Sequence, residues 1–551
     1  MKRALPRIDE GNFLVEAVKR HQAGDLAGAR DLYRAILTQN PKHADAIFRI
    51  GTIALQVNQY DKAADFIRQA IKIGPVTGAM LINLGAALRG LEEYKSAIRA
   101  YDRAIKLNVN LADAYYNKGR ALQSLKKFEE AKDSYKLSLS VNDKEADTWI
   151  NLGTVQRELG ETDDALYAFE VAMRLNPLMG AGYSNAAAIF FDRALFEKSM
   201  DMMDKAIELE PENYDYREKL GFFLRSFGNL ERGWIDFDIR FLAHKEAKAT
   251  RRIEPPPYWN DEDLSNRKIL LWTEQGLGEE VFSAGIIPDL LETGAQCVIE
   301  CSERMQPLLQ RSFPSIKVTS WLDNRETVKQ ASPPFEFQYP ALSMVRTFRP
   351  TVDSITNHVP YIRADPKLVL DLRTKYEELA QGKRIIGISW RSKNPELGKD
   401  KTVPIMGWRP ILEAEDVFYV NVQYGECTEE IAEVKSKLGV DIFVDPDVDA
   451  LGDLDIVIAQ IAATDLIISA SNSNVHFAGA MGTPAWSMLP KSRGLLWYWF
   501  MDRSDSPWYP SVRLFRQQSA PSQDHSWWPE VINDVAAALP QWLSAPLAPR
   551  P

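Results

Sequence analysis

GAMLINLGAALRGLEEYKSAIRAYDRAIKLNVNL, residues 78–111, decides how the first half of this 551-residue chain is read. Within it Gly85, Tyr94, Ala97 and Ala104 mark the small and aromatic positions of two short amphipathic helices. Moving outward in steps of 34 positions, Gly85 is answered by Gly51, Gly119, Gly153, Ala187 and Gly221. Tyr94 is answered by Tyr60, Phe128, Phe196 and Leu230, and Ala97 by Ala63, Ala131, Ala165, Ser199 and Gly233. Self-similarity at this period signals stacked helical hairpins, because one helix pair cannot bury its own apolar face. Pro41, Pro75, Pro177 and Pro211 close units, since proline cannot continue a helix.

This is the tetratricopeptide-repeat (TPR) pattern, in which small residues let the two helices of each hairpin approach closely. With residues 12–39 as a degenerate first unit, residues 1–241 are expected to form about seven hairpins, an all-α superhelix with a groove. Asn83, Asn117, Asn151 and Asn185 share one repeat position, with Arg49 and Lys219 at either end. A primary amide carries donors and an acceptor together, so such a ladder suits a polypeptide backbone gripped without reading its side chains. A merely solvated polar row is the alternative.

Residues 242–265 break the period with a charged stretch and three consecutive prolines, Pro255 to Pro257, which marks a semi-rigid linker. Beyond it, short apolar runs alternate with amphipathic stretches: KILLW (268–272), CVIEC (297–301), IIGISW (385–390), VFYVNV (417–422), DLIISA (465–470) and AWSML (485–489). Near-continuously apolar strands alternating with helices indicate parallel sheets covered on both faces. Two Rossmann-like units are expected, 266–375 and 383–545, with the join at 364–383 and a ligand cleft at the carboxyl ends of the strands.

Bulk composition narrows the partners. The formal charge is −10, which argues against nucleic acid, since phosphate backbones demand a basic surface. Hydrophobic residues make up 45%, yet no apolar run is long enough to span a bilayer. The start lacks the apolar core of a secretory signal. The three cysteines, Cys297, Cys301 and Cys427, form no C-x-x-C pair, so neither a disulfide framework nor a zinc site is expected, and a cytoplasmic location follows.

The segment SASNSNVHFAGAMGTP, residues 469–484, follows the DLIIS strand with small hydroxyl and amide residues that cap a helix starting near Val475. A capped helix start with a positive dipole end is an anion site. Residue types alone leave an ordinary N-cap equally open. His476 in the first turn is a candidate phosphate or acceptor contact, against the alternative of a packed, hydrogen-bonded histidine. Asp445, Asp447 and Asp449 imitate a D-x-D metal motif but follow the DIFV strand late in the second unit, so they read as a polar loop and no metal or cofactor is expected.

The run S-x-S-N-S-x-x-H-x-A-G-A-x-G-x-P, followed by DRSDSPWYPSVRLFRQ at 502–517, resembles bacterial TPR-containing glycosyltransferases. Those are relatives of heptosyltransferases and O-GlcNAc transferases and have the GT-B fold, two facing Rossmann-like domains. The resemblance implies a metal-independent, inverting transfer of sugar from a nucleotide sugar to Ser or Thr of a protein held by the asparagine ladder, with flagellin as one acceptor. By the same resemblance Ser471, Asn472, Ser473 and Asn474 cradle the donor phosphates. Ser389, Arg391 and Lys393 of GISWRSKN form a donor-side loop, with Lys401 further along it, and Gln423 lies near the base. EQGLGEEVFSAGIIPDL at 274–290 matches the family's G-x-G-D-E element, with Glu279 where most relatives have Asp and Glu280 beside it. A cleft carboxylate there is the candidate base for the acceptor hydroxyl, with His476 alongside it. Two acidic residues at a helix start also simply favour its dipole. A lipid or polysaccharide acceptor, or a non-catalytic scaffold, are the rival readings.

Overall fold

The computed structural model describes residues 9–243, 256–274, 276–320, 335–355, 359–392, 398–491, 494–518 and 528–547, apart from the side chains of Leu242, Ala243 and Lys399. The chain divides into two compact units, Met1–Ile189 and Phe190–Pro551.

The first unit is built of helical hairpins, beginning with Glu10–Gln22 and Leu26–Gln39 and reaching Ala146–Glu158 and Thr162–Leu175. The repeat small residues sit where the sequence requires them. A side chain on Gly119 would bring a Cβ to 2.6 Å from the ring of the buried Tyr135, so this position has no room for one. Within each hairpin, the turn between helices carries one residue with positive φ, again 34 positions apart: Gly24, Asn58, Glu92, Lys126, Gly160, Ala194 and Gly228. A left-handed residue reverses the chain tightly after a helix, and only glycine adopts it without a Cβ clash. Three turns use glycine and one asparagine, whereas Glu92, Lys126 and Ala194 carry the strain.

Phe190–Pro551 begins with the remaining helices, including Phe196–Leu209, Tyr214–Ser226 and the short Leu230–Gly233. Two parallel sheets follow. The first contains β1 (Lys268–Trp272), β2 (Gln296–Cys301), β3 (Lys317–Ser320) and β4 (Phe337–Pro340), in the order β3-β2-β1-β4. The second contains β5 (Arg384–Ser389), β6 (Val417–Asn421), β7 (Ile442–Phe443), β8 (Leu466–Ala470), β9 (Ala485–Leu489) and β10 (Val512–Arg516). Its order, β10-β9-β8-β5-β6-β7, reverses direction between β5 and β8. That reversal is the switch point of a doubly wound sheet, beside which ligands sit at the carboxyl ends of strands.

Three boundaries differ from the sequence expectation: the helical array expected over residues 1–241 divides at Ile189, its later helices belonging to Phe190–Pro551. The helix Pro366–Ala380, split above between the first unit and the join, belongs wholly to the second sheet. Its Leu372, Tyr376 and Ala380 pack with Ile385 and Val420, and Asp365 caps its start ahead of Pro366. Within the proline linker, the described end is docked: Trp259 N–H donates to the Gln338 carbonyl at 3.0 Å and Gln338 Nε2 donates to the Pro256 carbonyl at 2.6 Å, so the segment runs along β4. Asp445 is engaged as a structural carboxylate, accepting from Lys375 Nζ at 2.7 Å and Tyr376 Oη at 2.8 Å. Among the described residues no helix is long and apolar enough to cross a membrane.

The turn strain gives a direct test. Replacing Lys126 by glycine is expected to raise the unfolding free energy by about 0.5–1 kcal/mol, while Gly160→Ala lowers it by about 1 kcal/mol. Urea denaturation of the full chain followed by circular dichroism checks both signs; two shifts in the same direction contradict the account.

Candidate functional site

Strands of both sheets end on one cavity of about 390 Å³. The first sheet contributes Gly276 to Glu279, after β1, and Arg304, after β2. The second contributes Val422 and Tyr424 after β6, and Ser471, Asn472, Ser473, Asn474 and His476 after β8. Lys401 and Tyr498 complete the inner wall.

The helix Ser473–Met481 begins two residues before the expected start, and its construction explains why it points at the cavity. Asn472 is its N-cap, with Oδ1 accepting from the Asn474 N–H at 3.0 Å. Asn472 Nδ2 donates to Ser389 Oγ at 2.8 Å, which fastens the cap to the end of β5. Asn474 Nδ2 donates to the Val422 carbonyl at 2.8 Å, fastening the first turn to β6. Gly479 permits close packing below, since a Cβ there would lie 2.5 Å from the Tyr509 ring. An N-cap of this type contributes about 1 kcal/mol, and the helix start it leaves at the cavity wall favours negative charge.

Several sequence candidates take other roles. Gln423 is buried, and its Oε1 accepts from Ser389 Oγ at 3.1 Å, Trp390 N–H at 2.9 Å and Arg391 N–H at 2.9 Å. Both Gln423 and Ser389 are thus spent on shaping the loop after β5 and do not line the cavity, which corrects the donor-contact expectation for them. Arg391 is turned to Glu430, with Nη1 at 2.7 Å from the carboxylate, and also donates to the Glu426 carbonyl. Its guanidinium is committed to that carboxylate, so it does not line the cavity either. Glu280 is fully enclosed, and its Oε2 accepts from Thr273 Oγ1 and from the Ser302 N–H, each at 3.0 Å. Burial pushes the Glu280 carboxyl up, against the pull of those hydrogen bonds. It ties the ends of β1 and β2 together and has no path to a substrate. Lys393 lies outside the described residues.

Glu279, Lys401 and His476 do meet at the cavity. Burial lowers the Lys401 ammonium to about 8, although Glu279 and Asp400 both favour its charge. Burial, aided by repulsion from Lys401, lowers His476 to about 3, so its imidazole is neutral. His476 Nδ1 is 3.0 Å from Tyr509 Oη, and its ring packs at 5.0 Å from Trp499. A neutral, wedged imidazole serves as a packed wall rather than as a charged phosphate contact. Tyr498, which the sequence reading passed over, donates through Oη to Glu279 Oε1 at 3.2 Å. Its only signal was membership of the aromatic run at 497–500. Arg304, also missed, is an exposed cation at the first-sheet side of the cavity.

In the first unit the asparagines hold one equivalent position in successive hairpins. Asn117 Nδ2 donates to the Asp113 carbonyl at 2.9 Å and Asn151 Nδ2 to the Asp147 carbonyl at 2.8 Å. Asn83 Nδ2 donates to Thr52 Oγ1 of the preceding hairpin at 3.2 Å. These bonds orient the amides of Asn83, Asn117 and Asn151 through their Nδ2 groups. Asn185 is half-buried in the corresponding place.

Three matches to the tetratricopeptide repeat cover residues 20–87, 79–109 and 103–177. The chain is 31% identical over 386 residues to Protein FlbA of Caulobacter vibrioides, a match covering 66% of this chain. It spans 62% of that protein's length. Among solved structures, MamA is 24% identical with a TM-score of 0.28, covering 29% of this chain and 94% of its own. YrrB, described as a TPR protein with an unusual peptide-binding site, is 20% identical with a TM-score of 0.29, covering 33% and 95%. PilF of Pseudomonas aeruginosa is 16% identical with a TM-score of 0.35, covering 38% and 96%.

The buried histidine sets a pH dependence. Its pKa is near 6.5 in the unfolded chain and about 3 in the folded one, so the unfolded state binds the extra proton. Stability present above pH 6.5 is therefore lost as pH falls from 6.5 toward 3. The urea midpoint of His476→Gln is expected to fall less between pH 7 and pH 4 than that of the natural chain; equal slopes contradict burial as a neutral imidazole.

Proposed function

We propose that the chain is a metal-independent glycosyltransferase of GT-B type that moves a sugar from a nucleotide sugar to Ser or Thr of a protein acceptor, flagellin being the first to try. The observation that carries this reading is the cavity at the switch point, where a helix start, a buried ammonium and a half-buried carboxylate converge. The backbone at Ser473 and the Lys401 ammonium suit the phosphate that departs with the nucleotide, since both place positive charge where negative charge grows. Glu279 suits the proton of the acceptor hydroxyl. Lys401 takes the electrostatic role that Arg391, tied to Glu430, does not fill. The asparagine ladder suits an extended acceptor backbone, each Oδ1 taking an amide N–H.

Incubation with UDP-, GDP- and CMP-sugars and a flagellin acceptor, read by intact mass, should show acceptor mass gain with one donor. No donor consumed and no mass gained overturns the enzymatic reading in favour of a scaffold. Lys401→Ala is expected to lower kcat by about 10²–10³-fold, the scale of losing one preorganised charge. Because the ammonium is lost as pH rises through about 8, the rate should decline above that pH, and Lys401→Arg should carry the decline to higher pH. An unchanged alkaline limb in Lys401→Arg removes Lys401 from the mechanism.

Replacing Asn83, Asn117, Asn151 and Asn185 together by alanine should raise the KM for a protein acceptor and leave donor hydrolysis untouched. Acceptor binding that survives the four changes points instead to a lipid or polysaccharide acceptor.

A further inference from the structure

Three consecutive residues, Trp497, Tyr498 and Trp499, form one 3-10 turn whose side chains reach three different parts of Phe190–Pro551. Trp497 packs edge-on against Trp234 at 5.2 Å and lies under the Arg225 guanidinium at 5.5 Å. Both partners belong to the last helical hairpin, Tyr214–Ser226 and its continuation. Tyr498 stacks on Phe282 at 5.2 Å and donates to Glu279 at 3.2 Å, both on the helix Leu277–Ala284 of the first sheet. Trp499 Nε1 donates to Ser471 Oγ at 3.0 Å, at the end of β8.

The turn is held in place from behind. Phe500, which ends it, has φ 52° and ψ 171°, a conformation that a bulky side chain adopts only when its surroundings dictate it. Those surroundings are present: Phe500 stacks on Trp508 at 6.2 Å, and the Trp499 carbonyl accepts from the buried Arg516 Nη2 at 2.9 Å. Strain of this kind gathers where geometry is fixed for a purpose.

We propose that this turn is a positioning latch, in which Tyr498 aims the Glu279 carboxylate and Trp497, docked on the last hairpin, fixes Tyr498. The proposal rests on the reading of Glu279 as the base. A glutamate side chain has one more rotatable bond than an aspartate, so the Glu279 carboxylate needs an external anchor to hold a reactive angle. A tyrosine confined by stacking on Phe282 and by the edge of His476 at 4.9 Å supplies one. Misplacement of a reacting group by about 1 Å is enough to cost about 10²-fold in rate. Tyr498 and Trp497 are positioning residues, acting through Glu279.

The test uses the full chain. Tyr498→Phe keeps the ring and removes only the anchoring hydroxyl. It should lower kcat by about 10–100-fold at unchanged donor KM. In a Glu279→Gln background the same change should cost nothing further, the non-additivity of two residues acting as one. Trp497→Ala should reproduce the loss and Trp497→Phe should largely restore the rate. An undiminished kcat in Tyr498→Phe, or an equal loss in both backgrounds, overturns the latch while leaving glycosyl transfer standing. If the natural chain transfers no sugar, the glycosyl-transfer reading fails by itself. The latch is then decided by hydrogen exchange. Amides of Leu277–Ala284 should exchange faster in Trp497→Ala than in Trp497→Phe, and equal rates overturn it.

Discussion

Gln423 Oε1, buried in the interior, accepts a hydroxyl proton and two backbone N–H groups. Ser389, one of its donors, accepts in turn from Asn472, and Asn472 caps the helix that starts at the cavity. Removing the Gln423 amide would strand three donors whose desolvation is uncompensated, which is far more costly than the bonds are individually worth. The loop after β5, the end of β6 and the helix after β8 therefore have a single mutual arrangement. The helix start faces the cavity because the side chains beneath it permit nothing else.

The first sheet is organised by a counterpart of opposite sign. Glu280, enclosed between the ends of β1 and β2, is satisfied by Thr273 and by the Ser302 backbone, and this orients the turn that displays Glu279. Adjacent glutamates thus divide the labour, one as a fastening and one as a half-buried cavity group. The lobes are kept in register by contacts that do not involve the cavity. Tyr361 Oη donates to the Val281 carbonyl at 3.0 Å, the Tyr361 N–H donates to the Ala480 carbonyl at 3.0 Å, and Arg311 Nη1 lies 3.0 Å from Asp455 Oδ2. On the other flank, Arg240 Nη2 reaches Glu274 Oε1 at 2.6 Å in a buried pair, fastening the last helical segment to the strand end just before the glutamates. Breaking one partner of such a pair would leave an uncompensated buried charge.

The hairpin repeat was legible because its signal is multiplied: the same steric need for a small residue recurs at Gly51, Gly85, Gly119 and Gly153. The buried strands were legible as apolar runs, whereas β3, β4 and β10 are short or mixed in polarity and carry no comparable signature. At the cavity, residue types were read better than directions. Glu279, Lys401 and the segment from Ser471 to Asn474 do line it. Ser389, Arg391 and Gln423 sit on the right loops but face inward, because a buried strand end must satisfy its own polar groups before any ligand. Tyr498 was invisible for the opposite reason: its meaning comes from Glu279, 219 positions away in sequence.

The account is tested most directly by a crystal structure of the full chain with the nucleotide diphosphate or monophosphate that it binds most tightly. It predicts phosphate oxygens within hydrogen-bonding distance of the Ser473 backbone and of Lys401 Nζ, in the cavity between Glu279 and the start of the helix Ser473–Met481. A nucleotide seated elsewhere, or that cavity filled by its own side chains while nucleotide is bound, would contradict it.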